Sequence, residues 1–260
     1  MGYALASIVL LAFAAGASAA PPQDMSLIPG GGFSMGSSLG KGYPNEHPKH
    51  TVEVDAFWMD RHEVTAAQFR EFSKATGHHM NKQPFPDEEN YPVVYVNWND
   101  AQAYCAYHGK RLPTEAEWEK AARGGSPDDY CFGTAEVLLE EYAWYASNGN
   151  KRPHPVGQKK PNDYGLYDMH GNVLEWVSDW YAPEYYSVSP TRNPQGAVEG
   201  KYRVVRGGSV YLSAALLRVT HRMKGSQATR YSGRGFRCAA SYAPVNDAES
   251  RRSPAENSKP

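Results

Sequence analysis

Cysteine is scarce in this chain: three occur in 260 residues, at 105, 131 and 238, and none forms a CxxC pair. No Cys/His cluster has the spacing of a zinc site, which argues against a metal held by thiolates. Neither sign of charge dominates, since 27 Lys and Arg stand against 28 Asp and Glu for a net charge of −1. Nucleic acids and acidic membranes are bound by accumulated basic charge, so neither is expected as a partner. Also missing are a phosphate-cradling glycine loop, a Ser-His-Asp array and a facial triad at readable spacing.

The apolar run from Ala4 to Ala15 is too short to cross a bilayer comfortably. Ala17-Ser18-Ala19 follows, the small-x-small pattern that signal peptidase reads, and then Pro21-Pro22. No Lys or Arg precedes the run, a departure from the usual signal. Residues 1–20 are expected to be a secretory signal, leaving a periplasmic or secreted chain with no membrane span once it is removed. In an oxidising compartment three cysteines suit one disulfide and one free thiol.

What the chain does have is aromatic and turn-forming residues: 18 Tyr, 6 Trp, 24 Gly and 19 Pro, with 41% hydrophobic residues overall. That mix suits a globular, loop-rich fold with a sizeable core. Strands are expected over Leu27–Gly36, broken by its glycines, and over His50–Phe57, where Val52, Val54 and Ala56 share a face. Thr65 with Gln68, and Thr114 with Glu117, are capping boxes that open helices ending at Gly77 and Gly124. Between them Pro92–Trp98 reads as a β-rich run, followed by a helix capped by Asn99 or Asp100. Tyr202–Ser209 and Gly235–Ser241 read as late core strands, and residues 243–260, polar and without an apolar face, as a disordered tail. One α+β domain is expected.

Several blocks stand in order: Gly32-Phe33-Ser34-Met35-Gly36, His62-Glu63-Val64-Thr65, Pro92-Val93-Val94-Tyr95-Val96-Asn97-Trp98, and the run RLPTEAEWE from Arg111. GLYDMHGNVLEW from Gly165, Arg206-Gly207-Gly208-Ser209 and Gly235-Phe236-Arg237-Cys238 complete the set. Over residues 25–242 the chain resembles the formylglycine-generating enzyme, or sulfatase-modifying factor, family. The resemblance implies a modified C-type-lectin-like fold with little regular secondary structure and bound calcium. Carried onto this sequence, the family's calcium ligands are Asp168, Gly171, Val173 and Glu175, with an acid at 168 where the family often has Asn. Oxygen donors on a glycine-rich turn suit this hard cation. His170, a lone histidine in the same turn, is read as a hydrogen-bonding group. The resemblance also pairs Cys105 with Cys238 and leaves Cys131 as a spare, partly buried thiol.

Formylglycine generators carry two cysteines at the third and eighth positions after the GGS serine, the pair that binds copper and exchanges thiols. Here those positions are Leu212 and Leu217. Leucine can be neither thiolate nor soft-metal ligand, so no copper and no formylglycine generation by that route are expected. Ser209, Tyr211, Arg218, His221 and Arg222 remain as candidates in the segment lining the family's cleft. Arg218 and Arg222 read equally as anion-binding groups or as structural hydrogen-bond donors. Two function classes follow. The first is a binding, accessory or assembly subunit with a protein partner or, as the alternative, a small molecule. The second is a cysteine-independent periplasmic oxidoreductase or maturation enzyme, like the relative that oxidises the pyoverdine chromophore.

Overall fold

A computed structural model describes residues 22, 24–84 and 89–243. The expected signal over 1–20 and the tail from 244 lie outside those residues. Every element described below lies in one compact unit that runs to Tyr242.

Local chemistry sets the helices. In α1 (Ala66–Thr76) the Thr65 hydroxyl accepts from Gln68 N–H while the Gln68 side chain accepts from Thr65 N–H, so two orphan donors are satisfied. Phe69 and Phe72 line its buried face, and Gly77 ends it at φ 74°. The same reciprocal cap opens α3 (Glu115–Arg123) through Thr114 and Glu117, and Gly124 closes it at φ 58°. In α2 (Trp98–Tyr107) the cap is Asn97, not Asn99 or Asp100. Asp100 is the third helical residue and reaches back to Asn97 N–H at 2.8 Å.

The β-rich reading of Pro92–Trp98 is also corrected. Val93 and Val94 are buried, but Tyr95 takes φ 53°, which breaks any extended run. The segment's polar groups turn instead to the Gln83 amide, which accepts from Val94 N–H and donates to its carbonyl, both at 2.9 Å.

Three small sheets carry the remaining backbone. Strands β1 (Met25–Ile28), β4 (Phe57–Asp60) and β9 (Ala239–Ser241) pair antiparallel in the order β1-β4-β9. β2 (Gly31–Met35) pairs with β3 (His50–Val54), with Phe33 opposite Val52. The third sheet runs β7 (Met223–Gly225), β6 (Arg203–Arg206), β5 (Leu174–Trp180), β8 (Arg234–Gly235), with β5 and β8 parallel. One core packs around Trp118 between β2, β3, α3 and β5; another holds Phe69, Tyr104, Trp176 and Phe236 around Cys105 and Cys238. Those two cysteines form the expected disulfide. The result is the α+β arrangement the sequence implies, and among the described residues no helix is long and apolar enough to cross a membrane.

Candidate functional site

The segment after Gly207-Gly208-Ser209 is bent by its glycines, at φ 97° and 79°, where added Cβ atoms would press on Trp118 and Leu217. Ser209 is buried, and its Oγ accepts from Tyr211 N–H at 3.3 Å. Leu212 packs against two apolar clusters, and its carbonyl accepts from Ala146 N–H at 3.0 Å. Leu217 is 1% exposed, in a cluster with Tyr130, Leu139, Ala143 and Tyr145. Both leucines are structural here.

The charged candidates in this segment are committed to acids distant in sequence. Arg218 donates through Nη1 and Nη2 to Glu46 at 2.7 and 2.9 Å. Burial works to raise the Glu46 carboxyl, but bonds from Arg218, Ser37 and Thr220 hold it down at about 2. Arg222 grips Glu115 through Nε and Nη2 at 2.7 and 2.8 Å. His221 is pushed down to about 4, chiefly by burial, and its ring lies 5.5 Å from that of Tyr43. Only Tyr211, half-buried, is left unassigned to the interior. Ser209, Arg218 and Arg222 thus build the scaffold rather than a shared cleft, whereas the buried His221 Nδ1 has no hydrogen-bond partner.

His170 acts as a bridge. Its Nε2 accepts from Cys131 N–H at 3.1 Å, so Nδ1 carries the proton and donates to the Leu217 carbonyl at 3.0 Å. Full burial pushes this imidazole down to about 4 and keeps it neutral. Cys131 is the free thiol, and burial pushes it up to about 12, far from a reactive thiolate.

The turn expected to hold calcium is tightly built, with Asp168 at φ 62° and Asn172 at φ 59°. A Cβ on Gly171 would come within 2.3 Å of the Trp144 carbonyl oxygen, so close packing alone demands glycine there. Asp168 Oδ2 accepts from Gly157 N–H at 2.8 Å, while its Oδ1 is buried with no partner. Burial pushes this carboxyl up to about 6. Glu63, which sequence reasoning passed over, is buried beside it; desolvation and the charges of Asp168 and Glu175 push it well up. It accepts from Asn172 Nδ2 at 2.6 Å and Val173 N–H at 3.1 Å.

Glu175 is differently placed. Its Oε1 accepts from Arg237 Nε and Nη2 at 3.0 and 2.8 Å, and its Oε2 from Arg237 Nε and Trp118 Nε1 at 2.8 and 2.9 Å. Three N–H donors thus engage this carboxylate, with the Arg237 Nε–H shared between its two oxygens. The donor set therefore fits a cation at Asp168, whereas Glu175 is already engaged by Arg237 and Trp118. Among the described residues no three His, Cys, Asp or Glu side chains converge as a ready metal site, so the Gly171 and Val173 carbonyls would have to contribute.

Known proteins agree with this architecture. The formylglycine-generating enzyme of Streptomyces coelicolor is 36% identical over 276 residues, covering 82% of this chain and 87% of that protein. Among solved structures, PvdO from Pseudomonas aeruginosa superposes with TM-score 0.76 at 30% identity, covering 84% of this chain and 94% of that one. Treponema denticola variable protein 1 superposes with TM-score 0.73 at 32% identity, covering 83% and 94%. Residues 13–242 match the sulfatase-modifying factor enzyme 1-like domain. The chain belongs to the sulfatase-modifying factor, or formylglycine-generating enzyme-like, family.

Proposed function

We propose that this chain is an exported binding or accessory module, an assembly subunit for a protein partner, built on the generator fold without its chemistry. The observation that carries the reading is Leu217, which stands at the second thiol position and is sealed in an apolar cluster. Cys131 offers no substitute, because its thiol is held protonated by burial. The Cys105–Cys238 bond suits the oxidising periplasm or cell exterior.

The test is direct. The purified protein is incubated with copper, oxygen and a cysteine peptide of the sulfatase type, and the peptide is weighed by mass spectrometry. The expected outcome is an unmodified cysteine; formylglycine in the product would overturn the reading. Affinity capture from the exported fraction is expected to recover one stoichiometric partner.

Calcium is proposed as a stabiliser, held at Asp168 with the Gly171 and Val173 carbonyls, joined by Glu175 if Arg237 yields. The unpartnered Asp168 Oδ1 supports this, as does the negative charge of Asp168 and Glu175 that, after burial, pushes the Glu63 carboxyl up. A chelator is expected to lower the melting temperature and added calcium to restore it. No change with chelator would sink the assignment.

A second reading, a cysteine-independent maturation enzyme, draws on the likeness to PvdO, which bears on its family alone. It is the weaker, because Arg218 and Arg222 are each paired with a buried glutamate.

A further inference from the structure

Five arginines are buried among the described residues: Arg123, Arg206, Arg222, Arg234 and Arg237. Four of them sit on a carboxylate. Arg123 and Arg206 share Glu119, Arg222 holds Glu115, and Arg237 holds Glu175. Arg234 has no acid. It is 9% exposed, and its Nε and Nη1 are sealed from solvent with no hydrogen-bond partner.

What surrounds it is aromatic. Its guanidinium carbon lies 4.4 Å from the centroid of the Trp176 ring and 5.8 Å from that of Tyr231. Tyr231 in turn sits 5.9 Å from Tyr211, ring to ring, and both close over Gly233, where a Cβ would strike the Tyr211 ring at 2.6 Å. Tyr231 is 39% exposed and Tyr211 is half-buried, so this aromatic wall reaches solvent. Ring faces recover part of the desolvation of a cation but supply no acceptor in the plane of the guanidinium. A buried charge without a counter-ion is costly, and among the described residues every other buried guanidinium avoids that cost with a glutamate.

We propose that Arg234, backed by the buried Trp176 ring, is the oxyanion-binding residue of a ligand site walled by Tyr211 and Tyr231, taking the carboxylate or phosphate of a small ligand with an apolar or aromatic body. The guanidinium can donate a charge-assisted hydrogen bond to either group, and the two tyrosine rings take the body of the ligand. This gives Tyr211 its role, as a wall. The proposal rests on the reading of the chain as a binding module and names the chemistry of what it binds.

The full chain without its first 20 residues is titrated with benzoate, phenyl phosphate and neutral benzamide at fixed ionic strength, following melting temperature and heat of binding. At least one of the two oxyanions is expected to bind at least tenfold more tightly than benzamide, and which one does so separates carboxylate from phosphate ligands. Arg234→Met is expected to weaken that oxyanion at least tenfold and leave benzamide unchanged, while Arg234→Lys keeps part of the affinity. Unliganded Arg234→Met is expected to melt no lower than the parent, because it removes an uncompensated buried charge. The proposal is overturned by an oxyanion affinity no better than that of benzamide, by undiminished binding in Arg234→Met, or by a lowered melting temperature of that variant. A stoichiometric partner whose capture is insensitive to Arg234→Met, with no oxyanion bound, would remove this site and leave the module reading standing.

Discussion

Reduction of the Cys105–Cys238 bond should cost this protein much of its stability. The two cysteines are 133 residues apart and both are fully buried, in the cluster of Phe69, Tyr104 and Phe236. For a closed loop of that size the chain-entropy relation gives about 5 kcal/mol at 25 °C, against a typical domain stability of about 5–15 kcal/mol. Comparing oxidised with reduced wild-type protein avoids the cavities that alanine substitutions would add. Urea unfolding followed by tryptophan fluorescence, with and without reductant, measures the difference. A thiol count in denaturant certifies the states, one thiol when oxidised and three when reduced. Cys131 should not scramble the bond in the folded state, because its thiol is held protonated up to about pH 12. A midpoint shift worth less than about 1 kcal/mol would refute the argument, showing that the unfolded chain is not freed by reduction.

Two further outcomes follow from the buried charges. Asp179 is fully buried, and burial together with the Glu115 charge pushes its carboxyl up to about 7. The folded state therefore keeps a proton that the unfolded chain releases near pH 4, so stability falls as pH rises from about 4 to 7 and is level above. Asp179→Asn should remove this loss, with a gain over wild type that grows across that window to at most about 4 kcal/mol, read by urea midpoints at several pH values. A gain independent of pH would contradict the reading. Glu119 is 0% exposed and binds Arg206 at 2.5 Å and Arg123 at 2.7 Å, so Glu119→Gln should cost about 3–5 kcal/mol by leaving two buried guanidiniums short of a counter-ion. A loss below about 1 kcal/mol in the same assay would count against it.

The parts of this fold that sequence revealed are those decided within one turn of chain. Thr65 with Gln68 and Thr114 with Glu117 declare their helices because the cap is a contact three residues long. Gly77 and Gly124 mark the ends because each needs a left-handed backbone. Tyr95 hid the break after Pro92, since an apolar β-rich run gives no sign of a positive φ. Arg218 and Arg222 looked available for a ligand only because their partners are remote. Glu46 lies 172 residues from Arg218, and Glu115 lies 107 from Arg222. Arg234 was overlooked for the opposite reason. Set between two glycines in a short strand it carries no local signal, and only the fold shows that, among the described residues, no acid comes to meet it.

The stretch between Ser209 and Arg222 has two unequal halves. Leu217, Val219, Thr220, His221 and Arg222 are buried, whereas Ser213 and Ala215 are exposed and Ala214 and Leu216 are only half covered. The exposed half is moored by its main chain: the Ala214 carbonyl accepts from the Tyr130 hydroxyl, the Ala215 carbonyl from Arg218 Nε, and the Leu212 carbonyl from Ala146 N–H. Such tethers are blind to which side chain each residue carries. The side chains of Ser213 and Ala215, which point away from that framework, can therefore change without loosening it, whereas Ala214 packs on the cluster of Tyr130 and Leu217. That leaves a small exposed surface whose side chains can be exchanged at little cost to folding.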